Sequence, residues 1–141
     1  MNWVQVFSLL AFVVLVIITL LRMPSVITEP SSRLAWLATL SGCAAFATVG
    51  VVIPLELLDG WLGATNVVNL LQNLFATTAF WFLMRAARTL DGTQFRGRSW
   101  WQLPAMLVAF TIPFIFIPDR GPTSDDFIKL HADKPQLWAY A

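Results

Sequence analysis

The chain has 141 residues, of which 57% are hydrophobic and only 12% are charged, and its formal net charge is +1. Soluble domains carry about 25% charged residues, so a water-soluble enzyme and a disordered chain are both disfavoured. No basic block is long enough to indicate a nucleic-acid partner, and the single cysteine, Cys43, cannot form an internal disulfide. The composition therefore indicates a membrane protein whose main partner is the lipid bilayer.

Four apolar segments are long enough to cross a bilayer, which takes about 20 residues of helix. Lipid offers no partner for backbone N–H and C=O groups, so each segment is expected to be helical. The predicted fold class is an all-α bundle of four transmembrane helices in a single domain, residues 1–141. A signal peptide is the less favoured interpretation of the first segment, because no positive charge precedes it and no cleavage motif follows it. The predicted helices are residues 3–21, 34–54, 66–84 and 100–117.

The loops between these segments differ in charge, and this difference predicts their side of the membrane. Because basic loops stay in the cytoplasm, the N-terminus, the second loop and the tail are expected outside a bacterial plasma membrane. The arginines of the third loop, beside Trp100 and Trp101, are interpreted as topology and lipid-headgroup contacts, with a specific anionic ligand as the less favoured alternative. The arginines of the two inner loops are Arg22, Arg33, Arg85, Arg88, Arg96 and Arg98.

The tail contains a second kind of helix signal. Ser124 can cap a short helix over about residues 125–132, lying on the outer membrane surface, and Pro135 ends it. From Leu137 the sequence is again apolar and aromatic, as at the start of a span. Either the chain ends in the outer interface, or a fifth helix begins after Leu137 in a longer protein.

The third segment carries a polar stripe whose spacing of i, i+3, i+7 and i+11 keeps it within about 80° of one helix face. Amides in hydrocarbon are costly unless they are hydrogen-bonded, so this face is expected to point into protein. We favour hydrogen bonds between helices, worth about 0.6–2 kcal/mol each, over a polar ligand site or a water-lined path. The stripe consists of Asn66, Asn69, Asn73 and Thr77, with Gln72 beside it.

Helices two and four carry features that affect packing and shape. Small residues on the second segment form a candidate packing face, expected to serve close packing within the chain rather than contact with a second copy or partner. In the fourth segment Pro113 is expected to kink the helix, with Thr111 able to bond a freed carbonyl. The packing face consists of Ala38, Ser41, Gly42 and Ala45.

Signals for metal binding and catalysis are poor. His131 lies near three aspartates, but the spacing matches no known ligand pattern, so no metal, cofactor or catalytic residue is predicted. No charged side chain lies inside the four predicted spans, which argues against proton pumping and intramembrane proteolysis. An enzyme acting on lipid would have to use Glu56, Asp59 or His131 at the outer face.

Several features occur in an order typical of one group of proteins: LRMP at residues 21–24, Arg33 at the start of helix two, and the run TNVVNLLQNLFATTAF at residues 65–80. In this the chain resembles the N-terminal half of actinobacterial multi-pass integral membrane proteins of unknown function, a seven-helix sensor-like group. The resemblance implies an outside N-terminus. It implies no chemistry, and the later helices of that group are missing here.

These patterns predict a non-enzymatic polytopic membrane protein, an interaction, accessory or sensor-like module acting through helix–helix contacts. The expected partner is a second copy in a homo-oligomer or another membrane protein. The alternative is a small pore-forming, holin-like protein or a half-size transporter that oligomerises.

Overall fold

The computed structural model describes residues 3–90, 100–118, 120–123, 129, 133–135 and 138. Over this part of the chain the structure is all-α, as predicted, with five helices and no strand. The tail helix predicted at residues 125–132 falls, apart from Lys129, outside the described residues. The helices are α1 (Trp3–Thr28), α2 (Pro30–Ala47), α3 (Leu55–Leu62), α4 (Val67–Leu90) and α5 (Gln102–Ile115).

The first two helices are separated by a single residue, Glu29, where a loop was expected after Leu21. α1 continues through Pro24, although a proline inside a helix lacks the donor N–H. Glu29 is extended, with φ −128° and ψ 116°, because a residue before proline is disfavoured in the α region. Pro30 then opens α2 at a position that tolerates proline.

α2 ends at Ala47, short of the predicted end at residue 54, and the chain then turns. Gly50 has φ +85°, and a Cβ added there would lie 2.6 Å from the Leu55 Cγ, so the turn requires glycine. The outer loop predicted next contains α3, which was not foreseen. α3 ends at Leu62, and Gly63 after it is in the left-handed conformation, with the Ala64 N–H donating to the Asp59 carbonyl at 2.8 Å.

α2 packs between α1 and α4, and α4 also carries α3 and α5. α4 contains the predicted third span except Asn66 and runs on to Leu90, whereas α5 is shorter than predicted. Two helical segments, Trp3–Thr28 and Val67–Thr89, are long and apolar enough to cross a membrane. The buried hydrophobic cluster lies between α4 and α5 and comprises Leu70, Phe114 and Ile117, with Val67, Leu74 and Phe110 packed against it.

Candidate functional site

The interface between α1 and α2 contains polar contacts as well as small residues. The Trp36 Nε1 donates to the Thr19 carbonyl at 3.0 Å, and the Thr19 Oγ1 lies 3.7 Å from the Cys43 Sγ. The same hydroxyl donates to the Leu15 carbonyl at 2.7 Å, which satisfies it inside its own helix. These contacts join the middle parts of α1 and α2, and the sequence patterns did not identify them.

The small-residue face of α2 lies against α1 and α4. Ala38 and Ala45 are buried, and Ser41 and Gly42 are half-buried. A Cβ added at Gly42 would lie 3.3 Å from the Leu15 Cδ1, a tight contact. Absence of a side chain at Gly42 therefore allows α1 to approach α2 closely.

An open apolar cavity of about 290 Å³, the α2 groove, runs between α1 and α4 with α2 as its floor. Its walls are Leu15 on α1 and three residues of α4. A more polar cavity of about 330 Å³ lies between the same three helices nearer the α1–α2 turn, and Arg22, Glu29 and Ser32 are among its lining residues. The α2 groove is lined by Leu15, Ala38, Thr39, Gly42, Ala79, Phe80 and Leu83.

The polar stripe of α4 is divided in the structure. Asn66 is fully buried, and its Oδ1 accepts a hydrogen bond of 2.7 Å from the Asn69 Nδ2. The Asn66 Nδ2 is buried with no hydrogen-bond partner among the described residues. Asn69, Gln72 and Thr77 are half-buried, whereas Asn73 is exposed. This hydrogen bond joins the first turn of α4 to the residue before the helix rather than two helices, and Asn73 is exposed where an inward orientation was expected.

At the end of the bundle where α2 and α5 finish, Asp59 joins two distant parts of the chain. Its Oδ2 accepts from the Thr123 N–H at 2.6 Å, and its Oδ1 accepts from the Thr123 hydroxyl. Arg120 donates from Nη1 to the carbonyls of Phe114 and Ile115, at 2.9 and 3.2 Å, and so bonds the end of α5. Asp59 therefore has a structural role here, while Glu56 is exposed and His131 lies outside the described residues.

At the opposite end Arg85 is buried beside two tryptophans. Its Cζ lies 4.8 Å from the ring centre of Trp81 and 4.1 Å from that of Trp100, which are cation–π distances. The arginine was expected in a loop, but α4 continues past it, so Trp81 and Arg85 lie one turn apart on one face. The Trp81–Arg85 spacing is the sequence signal that could have found this contact.

A cavity of about 200 Å³ opens between α4 and the start of α5 beside this contact, and we call it the Arg–Trp cavity. It includes two arginines of α4, which lie beyond the predicted span 66–84 in the part of the helix that extends past it. The lining residues are Phe80, Trp81, Met84, Arg85, Arg88, Gln102 and Met106.

Pro113 lies inside α5, which continues to Ile115. The Thr111 Oγ1 donates to the Leu107 carbonyl at 2.7 Å. The carbonyl that Pro113 leaves without its helical donor belongs to Ala109, four residues earlier, so Thr111 does not serve the purpose expected of it.

No group of three histidine, cysteine, aspartate or glutamate side chains that could hold a metal ion occurs in the described part of the chain. The histidine and two of the aspartates weighed for such a site, His131, Asp125 and Asp126, lie outside that part. Comparison with protein-family models, with curated proteins and with solved structures finds no match.

Proposed function

We propose that this chain is an integral protein of a bacterial plasma membrane, crossing it four times with both termini outside. It acts without catalysis, as an interaction or accessory module that binds a second copy of itself or another membrane protein through helix contacts. The open α2 groove is the observation that carries this proposal.

The exposed surface of α1 supports the membrane location. Trp3, Phe7 and Leu21 have exposed fractions of 89, 70 and 74%, and large apolar side chains recur on every face of the helix. Monomeric soluble proteins rarely expose contiguous apolar patches larger than a few hundred Å². A helix that is apolar all round, yet packs mainly on one neighbour, is suited to lipid.

The charges support the orientation. Arg22 on α1 and Thr89 on α4 line the same polar cavity, so they lie at the same end of the helices. Arg85 and Arg88, which line the Arg–Trp cavity, lie at that end too. Loops and helix ends rich in arginine remain in the cytoplasm. The end that carries Asp59 and Thr123 would then face outwards.

Cysteine labelling tests this orientation. In a Cys43→Ala background, Thr65→Cys places a thiol at the α3–α4 turn and Thr28→Cys places one at the α1–α2 turn, and both threonines are exposed. We expect a membrane-impermeant maleimide to label the Thr65 position in intact cells, and the Thr28 position only after permeabilisation. Labelling of the Thr28 position from outside intact cells would contradict the orientation.

The α2 groove supports the interaction role because its floor is made of small residues. Ala38 and Gly42 add little bulk to this floor, and Leu15 and Leu83 provide apolar walls that a foreign helix would contact. Association in lipid is driven by such packing and not by expulsion of water. An open groove of this lining therefore suits a helix of a second molecule.

Co-purification tests the interaction role. Two differently tagged copies are expressed together, extracted in a mild detergent, captured through one tag and weighed by light scattering. We expect a complex of fixed mass, either an integral number of chains or one chain with one partner in fixed stoichiometry. A free monomer in detergent and also in lipid nanodiscs would contradict the proposal.

A pore is the second candidate, and the exposure of Asn73 favours it. An exposed amide at membrane depth would face water if several copies brought their α4 helices around a common water-filled axis. Release of a trapped dye from vesicles containing only the purified protein supports this candidate. Tight vesicles containing a stable complex support the interaction module.

A further inference from the structure

We propose that the Arg–Trp cavity binds the phosphate of an anionic phospholipid of the inner leaflet. This inference rests on the proposed membrane location and orientation, and it names one ligand for a site between α4 and α5. It does not depend on whether the α2 groove binds a second molecule.

The two tryptophans fix one of the two arginines. Trp81 and Trp100 have their ring centres 5.3 Å apart, and both lie close to the Arg85 guanidinium. Both rings attract the guanidinium charge, and a guanidinium carries coplanar N–H donors that match the oxygens of a phosphate. Arg85 is thus held at the cavity by both rings, so less side-chain freedom remains to be lost on binding.

The cavity changes in polarity along its length. Arg88 and Gln102 lie at the end of the helices that faces the cytoplasm, and Phe80 and Met106 lie about two turns and one turn deeper. A phospholipid changes in the same direction, from a charged headgroup to apolar chains. Basic pockets between transmembrane helices on the cytoplasmic side are known to bind anionic headgroups.

The apolar end favours a lipid over free phosphate. Phe80, Met84 and Met106 have exposed fractions of 60, 41 and 38%, so this end of the cavity opens sideways where acyl chains would lie. Unbranched methionine side chains adapt to an irregular chain. Free phosphate would use the arginines but would gain nothing from this apolar surface.

The test uses the full chain in nanodiscs of phosphatidylcholine alone or with phosphatidylglycerol, followed by release and native mass spectrometry of retained lipid. We expect retention of phosphatidylglycerol at least about tenfold above phosphatidylcholine, the factor given by one charge-assisted contact. Arg88→Gln, at an exposed position, should remove about tenfold of that retention. Arg22→Gln removes the same charge at the same end, away from this cavity, and should retain the lipid.

Met106→Trp is a second variant that fills the apolar end without changing charge, and it too should lower retention. Equal retention of the two lipids, or equal loss in Arg88→Gln and Arg22→Gln, would overturn the site. Displacement of the lipid by millimolar inorganic phosphate would show an anion site without lipid specificity and would also overturn it. Because every arm requires a chain inserted in the nanodisc, failure of insertion is seen separately and counts against the membrane location.

Discussion

Replacing Gly42 by leucine is expected to loosen α1 from α2 and to abolish association through the α2 groove. A Cβ alone would lie 3.3 Å from the Leu15 Cδ1, and the rest of the leucine side chain has to enter the groove or displace α1. Overpacking of this kind costs typically about 1–3 kcal/mol of folding free energy. Unfolding followed by circular dichroism in mixed detergents measures that loss, and the co-purification of two tagged copies measures association.

Gly60→Ala is the matched control, because a Cβ added at Gly60 has nothing within 4 Å. It lies inside α3, where alanine is favoured over glycine by up to about 1 kcal/mol, so stability should be unchanged or slightly raised. Ala79→Leu is a second variant that fills the groove from the α4 wall. If both groove variants fold and still associate as the unsubstituted chain does, the groove is not the contact surface.

The helical class could be predicted from sequence because it depends on local properties. Long apolar runs, and the impossibility of leaving backbone groups unbonded in lipid, identify α1 and α4 without knowledge of any contact. Their ends are harder to place, since α1 passes through Pro24 and α4 extends through Arg85 and Arg88. Hydrophobicity marks where a helix is apolar, whereas hydrogen bonding and caps decide where it ends.

α3 could not be predicted from the same pattern because it is too short for a hydrophobic periodicity to stand out. Its eight residues follow Pro54 and precede Gly63, and both of those flanking residues are typical of helix boundaries. These terminal signals, read together, would have located it. The charge pattern of residues 55–65, taken alone, predicts only a loop.

The candidate sites divide in a similar way. The small residues of α2 could be identified because a single helix face determines them, and Ala38 and Ala45 are indeed buried. The Arg–Trp cavity requires Trp100 to return to Arg85 across the segment 91–99, which lies outside the described residues. No spacing rule predicts such a contact, and only the one-turn spacing of Trp81 and Arg85 pointed to half of it.

The pair formed by Asp59 and Thr123 is separated by 64 residues and was not predictable from spacing. Asp59→Ala is expected to destabilise the end of the bundle that contains α3 by about 1–3 kcal/mol, because it leaves the Thr123 N–H and hydroxyl without their acceptor. Thr123→Val removes the hydroxyl bond but keeps the N–H bond, so its effect should be smaller, about 1 kcal/mol. Hydrogen exchange of the amide at residue 123, measured by mass spectrometry, should rise most in Asp59→Ala.

Glu56→Ala provides the control for charge, since Glu56 is an exposed acid on the same helix and its loss should change stability by less than about 0.5 kcal/mol. If Asp59→Ala and Glu56→Ala lowered the stability equally, the contact of Asp59 with Thr123 would contribute nothing beyond a surface charge. In the double variant Asp59→Ala with Thr123→Val, the loss of folding free energy should be smaller than the sum of the losses in the two single variants, because both substitutions remove the same hydroxyl bond. Association through the α2 groove should persist in all of these variants, because the α3 contact shares no lining residue with that groove.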